Sequence, residues 1–302
     1  MGISQGSGRF GALLTAMVTP FDDEGSLGVD AALALARYLV SHGSDGLVVA
    51  GTTGEGPVLS DDEVLGLWRV LAEALTVPVV AGTGTADTRH SLELTRLAQQ
   101  AGVAGVLVVT PYYSRPPQAG LVQHFTAVAD VTDLPVLLYD IPARAGRRIS
   151  LDTMIALATG VSNIVGVKDA TGDMARPSLQ RLACGDDWLL LSGDDPSALG
   201  YMAHGGAGVI SVTANVAPGP CAAFCNAALA GDFETARHWQ QRLVRLHKAL
   251  FADASPAPTK FALASLGLCA EEARLPIAPC SEGARAQVRE AMREAGVAEC
   301  QS

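Results

Sequence analysis

Short apolar, β-branched runs alternate with amphipathic stretches from the start of the chain to about residue 230, at a repeat of roughly thirty residues. The runs fall at 12–19, 46–50, 78–81, 106–109, 136–139, 163–168, 188–191 and 208–212. Helical patterns between them include 30–41, 62–75, 88–101 and 121–131. The second of these follows Ser60-Asp-Asp-Glu63, a capping box that fixes where a helix begins. Strands that are apolar along their whole length and separated by helices demand a parallel sheet covered by helices. Eight such units close naturally into a barrel. A doubly wound sheet is the competing architecture, but its phosphate fingerprint is missing. Gly51-Thr-Thr-Gly54-Glu-Gly56 has the wrong glycine spacing, and Gly82-Thr-Gly84 lacks the third glycine.

Beyond residue 230 only helical patterns remain, at 233–250, 259–266 and 281–295. The expected fold is therefore α/β: a (β/α)8 TIM barrel over residues 1–230 with a C-terminal helical extension over 231–302. The proline-rich joins Ser255-Pro-Ala-Pro and Pro276-Ile-Ala-Pro are too short to be free linkers and read as turns within one folded unit.

Charge narrows the function classes. A net charge of −10 with no basic run argues against nucleic acid or an anionic membrane as partner. No apolar run reaches the roughly 18 residues of a membrane span, and the polar, glycine-rich start has no export pattern, so a cytoplasmic protein is expected. Six cysteines without CxxC pairs read as buried thiols, and Cys221 and Cys225 are placed to share a helix face. The chain has no H-E-x-x-H, G-x-S-x-G or P-loop, which disfavours metal hydrolysis and serine acyl transfer.

The sixth run ends in Lys168. The chain holds only three lysines (168, 248 and 260), so a lysine at the tip of an apolar strand invites an explanation that arginine cannot supply. An amine among apolar neighbours can lose its proton and attack a carbonyl, which guanidinium cannot do. A lysine snorkelling to solvent or pairing with an acid is the simpler alternative. Other polar residues gather at the same strand ends. Thr52 and Thr53 follow the second run, Tyr112 and Tyr113 the fourth, Tyr139 the fifth with Arg144 just beyond, and Gly193-Asp194-Asp195 the seventh. Catalytic groups of a (β/α)8 barrel belong at that end. Thr52 and Thr53 can present hydroxyl and N–H groups to a carboxylate, a phenol can shuttle protons at an iminium, and Arg144 can grip a carboxylate. Each also has an ordinary structural reading as a turn cap, a barrel filler or a loop charge. Asp194 and Asp195 read better as a helix cap than as a metal pair.

Gly-Thr-Thr-Gly-Glu (51–55), Val-Thr-Pro-Tyr-Tyr-Ser-Arg-Pro (109–116), Leu-Tyr-Asp-Ile-Pro-Ala-Arg-Ala-Gly (138–146) and Gly-Val-Lys-Asp-Ala-Thr-Gly (166–172) together resemble the dihydrodipicolinate synthases. Leu-Ser-Gly-Asp-Asp (191–195) and Gly-Val-Ile-Ser-Val-Thr-Ala-Asn (208–215) extend the resemblance, which runs from about Gly11 to the last helix. It implies condensation of pyruvate with L-aspartate 4-semialdehyde to 4-hydroxy-tetrahydrodipicolinate, in diaminopimelate and lysine synthesis, by a homotetramer built from tight dimers. By the same resemblance Lys168 forms the pyruvate Schiff base and Tyr139 is the general acid/base above it. Thr52 and Tyr113 complete the proton relay, Tyr113 entering from a neighbouring subunit. Thr53 binds the pyruvate carboxylate, Arg144 takes that of the semialdehyde, and Gly193 and Ile210 line the pocket through backbone groups. No cofactor and no metal are implied.

Gly166, two residues before Lys168, is expected to leave room beside the adduct. Feedback-sensitive relatives grip lysine with a glutamate in the tight-dimer cleft. The corresponding positions here are Gly56, Asp61, Ala86 and His90, without that glutamate, so weak inhibition or none by L-lysine is expected. The alternative within the superfamily is a pyruvate-dependent lyase or aldolase of sialic or 2-keto-3-deoxy sugar acids. A catalytically silent barrel serving as a binding subunit is the alternative outside it.

Overall fold

A computed structural model describes residues 9–297. The start of the chain, on which the export reading rests, and Cys300 lie outside the described residues. Eight strands, β1 (Leu13–Ala16), β2 (Gly46–Val49), β3 (Val79–Gly82), β4 (Gly105–Val109), β5 (Val136–Asp140), β6 (Ile164–Asp169), β7 (Leu189–Ser192) and β8 (Gly208–Ser211), close in sequence order into a parallel barrel. β1 pairs with β8 to complete the ring. All eight expected strands are present. The first is shorter than expected because the chain leaves the sheet after Ala16: Val18 N–H donates to Asn215 Oδ1, and Thr19 Oγ1 donates to the Gly54 carbonyl.

The helices are α1 (Val29–Ser41), α2 (Asp61–Ala74), α3 (Thr88–Gln100), α4 (Gln118–Ala129), the single turn α5 (Pro142–Ala145), α6 (Leu151–Gly160), α7 (Arg176–Cys184), α8 (Ala198–Ala203) and α9 (Pro218–Leu229), followed by α10 (Phe233–Ala249), α11 (Ala257–Ser265) and α12 (Glu282–Ala295). Strand alternation divides the apolar residues into two sets. Leu14, Val48, Val80, Leu107, Leu137 and Leu191 fill the barrel interior, plugged at one end by Phe10. Leu47, Val49, Val79, Val106, Val108 and Leu138 face outward against Leu35, Leu67, Trp68 and Phe125 of the helices. Nearly every strand residue is buried, as expected of strands covered on both faces.

The division at residue 230 falls in the turn between α9 and α10. One apolar core runs across it, joining Leu13 and Val209 of the barrel and Phe224 of α9 to Leu246, Phe261 and Met292 of the extension. Ionic contacts add a second tie. The Ser60 capping box forms as the sequence suggests, with Glu63 N–H donating to Ser60 Oγ and Ser60 N–H to Glu63 Oε2. Glu63 also receives two bonds from the Arg274 guanidinium, 2.8 and 2.5 Å long, from the segment between α11 and α12.

The Arg274 bonds hold the Glu63 carboxyl at about 2, well below its ordinary value of 4.5. A depressed carboxylate pKa stabilises the fold above the unfolded-state value and loses that contribution as pH falls through the folded-state value. We expect wild type to exceed Glu63→Gln in stability by a constant margin above about pH 4.5, and the margin to shrink as pH falls toward about 2. The glutamine keeps the capping box, so acid titration of urea stability isolates the ion pair. A margin independent of pH would contradict this.

The expected cysteine placement also has a location. Cys221 and Cys225 are buried free thiols on α9, and burial pushes both above the ordinary thiol range. His42 ends α1 with Nδ1 2.7 Å from the Tyr38 carbonyl.

Candidate active site

The strands deliver their terminal side chains to one end of the barrel. Tyr139 of β5 and Lys168 of β6 are direct partners in the sheet register, so both point inward at the same height. Lys168 is 5% exposed. Its Nζ lies over the Tyr139 ring, 4.1 Å from the centroid. That is a cation–π contact with the ring face rather than the amine-to-phenol hydrogen bond that an acid/base directly above the nitrogen suggests. The carbon that reacts in a Schiff base lies one bond beyond Nζ, so a relay hydroxyl serves the adduct without touching the free amine.

Gly193, just past β7, gives the lysine its space. A Cβ there would lie 2.9 Å from Lys168 Cε and 3.0 Å from its Cγ, so a side chain would displace the lysine stem. Gly166 does something different from what its position in the sequence suggests. A Cβ on it would meet the Leu189 carbonyl oxygen at 2.2 Å, so this glycine permits close approach of β7 and does not open room for an adduct.

Tyr139 lines a cavity of about 370 Å³, whose wall also includes Thr52, Tyr112 and Arg144. Thr52 and Thr53 stand in the turn after β2, Thr52 half-buried and Thr53 buried. That turn is tightly wound: Ala50 and Glu55 both take φ of 55°, a left-handed conformation costly for residues with a Cβ. Arg144 sits on α5 with an exposed side chain. Ile210 belongs to the same barrel-interior cluster as Tyr139. Thr52, Tyr139 and Arg144 line this cavity, whereas Lys168, Thr53, Gly193 and Ile210 stand behind its wall and Tyr113 stands apart. Tyr113 is 95% exposed, with φ of 71°, and does not reach the cavity wall.

Asp194 and Asp195 behave as structural groups. Asp194 accepts from Ser197 N–H, capping the following turn, and Asp195 accepts from the N–H groups of Val212 and Thr213, tying the loop after β7 to the end of β8. Two clusters beside the site have no counterpart in the sequence reading. In one, Lys260 of α11 meets Glu55 Oε1 at 2.5 Å, with the two side chains 0% and 2% exposed. In the other, Arg176 of α7 meets Asp140 and Asp169, the residues that follow Tyr139 and Lys168. The scarcity of lysine was the available signal for Lys260, and the acids directly following two inward-facing site residues were the signal for the second cluster.

Residues 9–295 match the dihydrodipicolinate synthetase family. The chain belongs to the dihydrodipicolinate synthetase family. A family member from Phenylobacterium zucineum (strain HLK1), named 4-hydroxy-tetrahydrodipicolinate synthase, is 54% identical over 290 residues, covering 95% of this chain and 98% of the relative. Among solved structures of the family, the chloride-inhibited dihydrodipicolinate synthase from Acinetobacter baumannii in complex with pyruvate superposes with a TM-score of 0.92 at 37% identity, covering 95% of this chain and 99% of the other. The enzyme from Cyanidioschyzon merolae with lysine bound gives a TM-score of 0.93 at 38% identity, over 96% and 99% of the two chains. The barrel with its helical extension is thus the family fold, and the chain is an enzyme of that family.

Proposed function

We propose that the enzyme condenses pyruvate with L-aspartate 4-semialdehyde to give 4-hydroxy-tetrahydrodipicolinate, a step of diaminopimelate and lysine synthesis. The observation that carries this reading is a strand-end lysine amine, nearly sealed from solvent, packed on a tyrosine ring that in turn lines a cavity. The names of family members at high identity and coverage support the choice of substrates.

In this reading Lys168 Nζ attacks pyruvate C2, and the carbinolamine loses water to form the imine. The iminium withdraws electrons from the methyl group, which gives up a proton to become an enamine. The enamine carbon then attacks the aldehyde carbon of the second substrate. Ring closure through the semialdehyde's own amine returns Lys168 free. Tyr139 carries protons for these steps with Thr52 and Tyr113, Thr53 holds the pyruvate carboxylate, and Arg144 takes the semialdehyde carboxylate at the mouth. Gly193 and Ile210 line the pocket through backbone groups, and Gly193 also clears the lysine stem. Lysine itself supplies the electron sink, so no cofactor or metal enters the scheme.

Tyr113 has a place in this relay only if it crosses to a second copy. Its exposure and left-handed backbone fit a residue presented to a neighbour, and a homotetramer of tight dimers in the cytoplasm is part of the proposal. A coupled condensation assay tests the function: turnover with both substrates supports it, while cleavage of sialic or 2-keto-3-deoxy sugar acids without condensation supports the lyase reading instead. Arg144→Ala should raise KM for the semialdehyde about tenfold or more while pyruvate still forms its adduct. An unchanged semialdehyde dependence would remove that role.

Weak inhibition or none by L-lysine is also expected. Gly56, Asp61 and His90 lie on the wall of the same cavity, with His90 Nε2 2.9 Å from Asp61 Oδ1, and Ala86 offers no carboxylate for an ammonium. Titrating L-lysine into the condensation assay checks this, and strong inhibition at sub-millimolar concentration would contradict it.

A further inference from the structure

Asp140 and Asp169 close β5 and β6 one residue after Tyr139 and Lys168, and they are themselves paired in the register. Since strand residues alternate in direction, the two carboxylates face the helix layer while the tyrosine and lysine face the barrel interior. Two like charges on adjacent positions of a buried sheet face repel, and each needs a partner. Arg176, at the first position of α7, supplies it. Its Nη1 lies 2.6 Å from Asp140 Oδ2 and its Nε 3.5 Å from Asp169 Oδ2. The three residues are 5%, 0% and 3% exposed.

The same guanidinium reaches a third element. Arg176 Nη2 donates to the Ile149 carbonyl at 2.7 Å, and Ile149 N–H donates to Asp140 Oδ1 at 3.2 Å. The segment between β5 and α6, which carries Arg144, is thereby closed back onto the strand that carries Tyr139. Asp169 has further support from Gln180 and Thr171, whereas Asp140 depends on Arg176 and Ile149 alone among the described residues. Burial pushes the Asp140 carboxyl up to about 6 even with Arg176 lowering it, so this position is the more sensitive to loss of the cation.

We infer that Arg176 is a positioning residue of the active site: from outside the barrel it fixes the ends of β5 and β6 in the alignment that stacks Lys168 on Tyr139, and it anchors the Arg144 segment. Lysine at position 176 keeps a positive charge but cannot present separate nitrogens to Asp140, Asp169 and Ile149. This inference rests on the Schiff-base reading, and the experiment separates the two. Wild type, Arg176→Lys and Asp140→Asn are incubated with pyruvate and borohydride, and the rate of adduct formation, steady-state kcat and KM, and thermal unfolding are measured for each.

Absence of an adduct on wild type defeats the Schiff-base reading itself. With a wild-type adduct, the inference predicts that folded Arg176→Lys forms it about 10- to 100-fold more slowly, with kcat falling by a similar factor and pyruvate KM changing less. Asp140→Asn should show a smaller loss in the same direction. Folded variants with adduct rates within twofold of wild type overturn the inference. So does loss of the folded state in both variants, which would assign the cluster to scaffolding alone.

Discussion

Replacing Lys168 with alanine should lower condensation by roughly 10⁴-fold or more, the scale seen when a covalent nucleophile is removed, while leaving the barrel folded. The residue is nearly buried, but its stem lies in a channel shaped by Gly193 and the Tyr139 ring, and its ammonium makes no ion pair among the described residues. Truncation therefore strands no buried counter-charge, and the expected stability loss is only that of the vacated stem, about 2–5 kcal/mol. Pyruvate should still enter, because Thr53 and the cavity wall remain. Activity of the variant within a hundredfold of wild type would show that the amine is not the nucleophile.

The second large effect is expected far from Lys168 in sequence, at Lys260. Its ammonium contacts Glu55 Oε1 at 2.5 Å, the Glu272 carbonyl at 2.5 Å and the Phe21 ring at 4.1 Å from the centroid. Burial lowers its pKa, opposed chiefly by Glu55. Lys260→Met keeps the alkyl packing and removes the charge, leaving Glu55 buried with only the Arg274 N–H, 2.8 Å from Oε2, to hold it among the described residues. Breaking one side of a buried pair costs about 3–5 kcal/mol, whereas replacing both sides is close to neutral. Urea unfolding should therefore show a large loss for Lys260→Met and substantial recovery in Glu55→Gln/Lys260→Met. Equal stability of single and double variants would mean that the pair carries little coupling. Glu55 also ends the turn that holds Thr52 and Thr53, so the single variant should raise pyruvate KM as well, a kinetic effect that reports movement of that turn.

Much of the fold is written locally. Runs such as 136–139 and 163–168 are β-branched or leucine-rich without polar interruption, and only a sheet buried on both faces accommodates them, so every strand could be found. Lys168 was legible for a related reason: a charge at the end of such a run in a lysine-poor chain stands out against its surroundings. Glycines were harder to read. Gly166 and Gly193 share the interior-facing parity of adjacent strands, yet a Cβ on the first would meet the Leu189 carbonyl of the neighbouring strand and one on the second the Lys168 stem, a difference set by local backbone approach that the sequence does not show. The buried ion clusters carried a sequence signal for single members but not for the pairing, because Arg176 and Lys260 are distant in the chain from the acids they meet. Arg176 reads as a helix-start residue before Pro177, and Lys260 as one more position on a helix pattern. Tyr113 marks the limit of a single chain, since its side chain is 95% exposed.

The central claim is that one amine, at the end of β6, captures a 2-oxo acid. It is tested most directly by reducing the enzyme with borohydride in the presence of pyruvate, digesting it and locating the modified residue by mass spectrometry. The account predicts one reduced pyruvate adduct per chain, on the peptide carrying Lys168, and none on Lys248 or Lys260. Modification elsewhere with Lys168 unmodified, or an unmodified chain under conditions of active turnover, would contradict it.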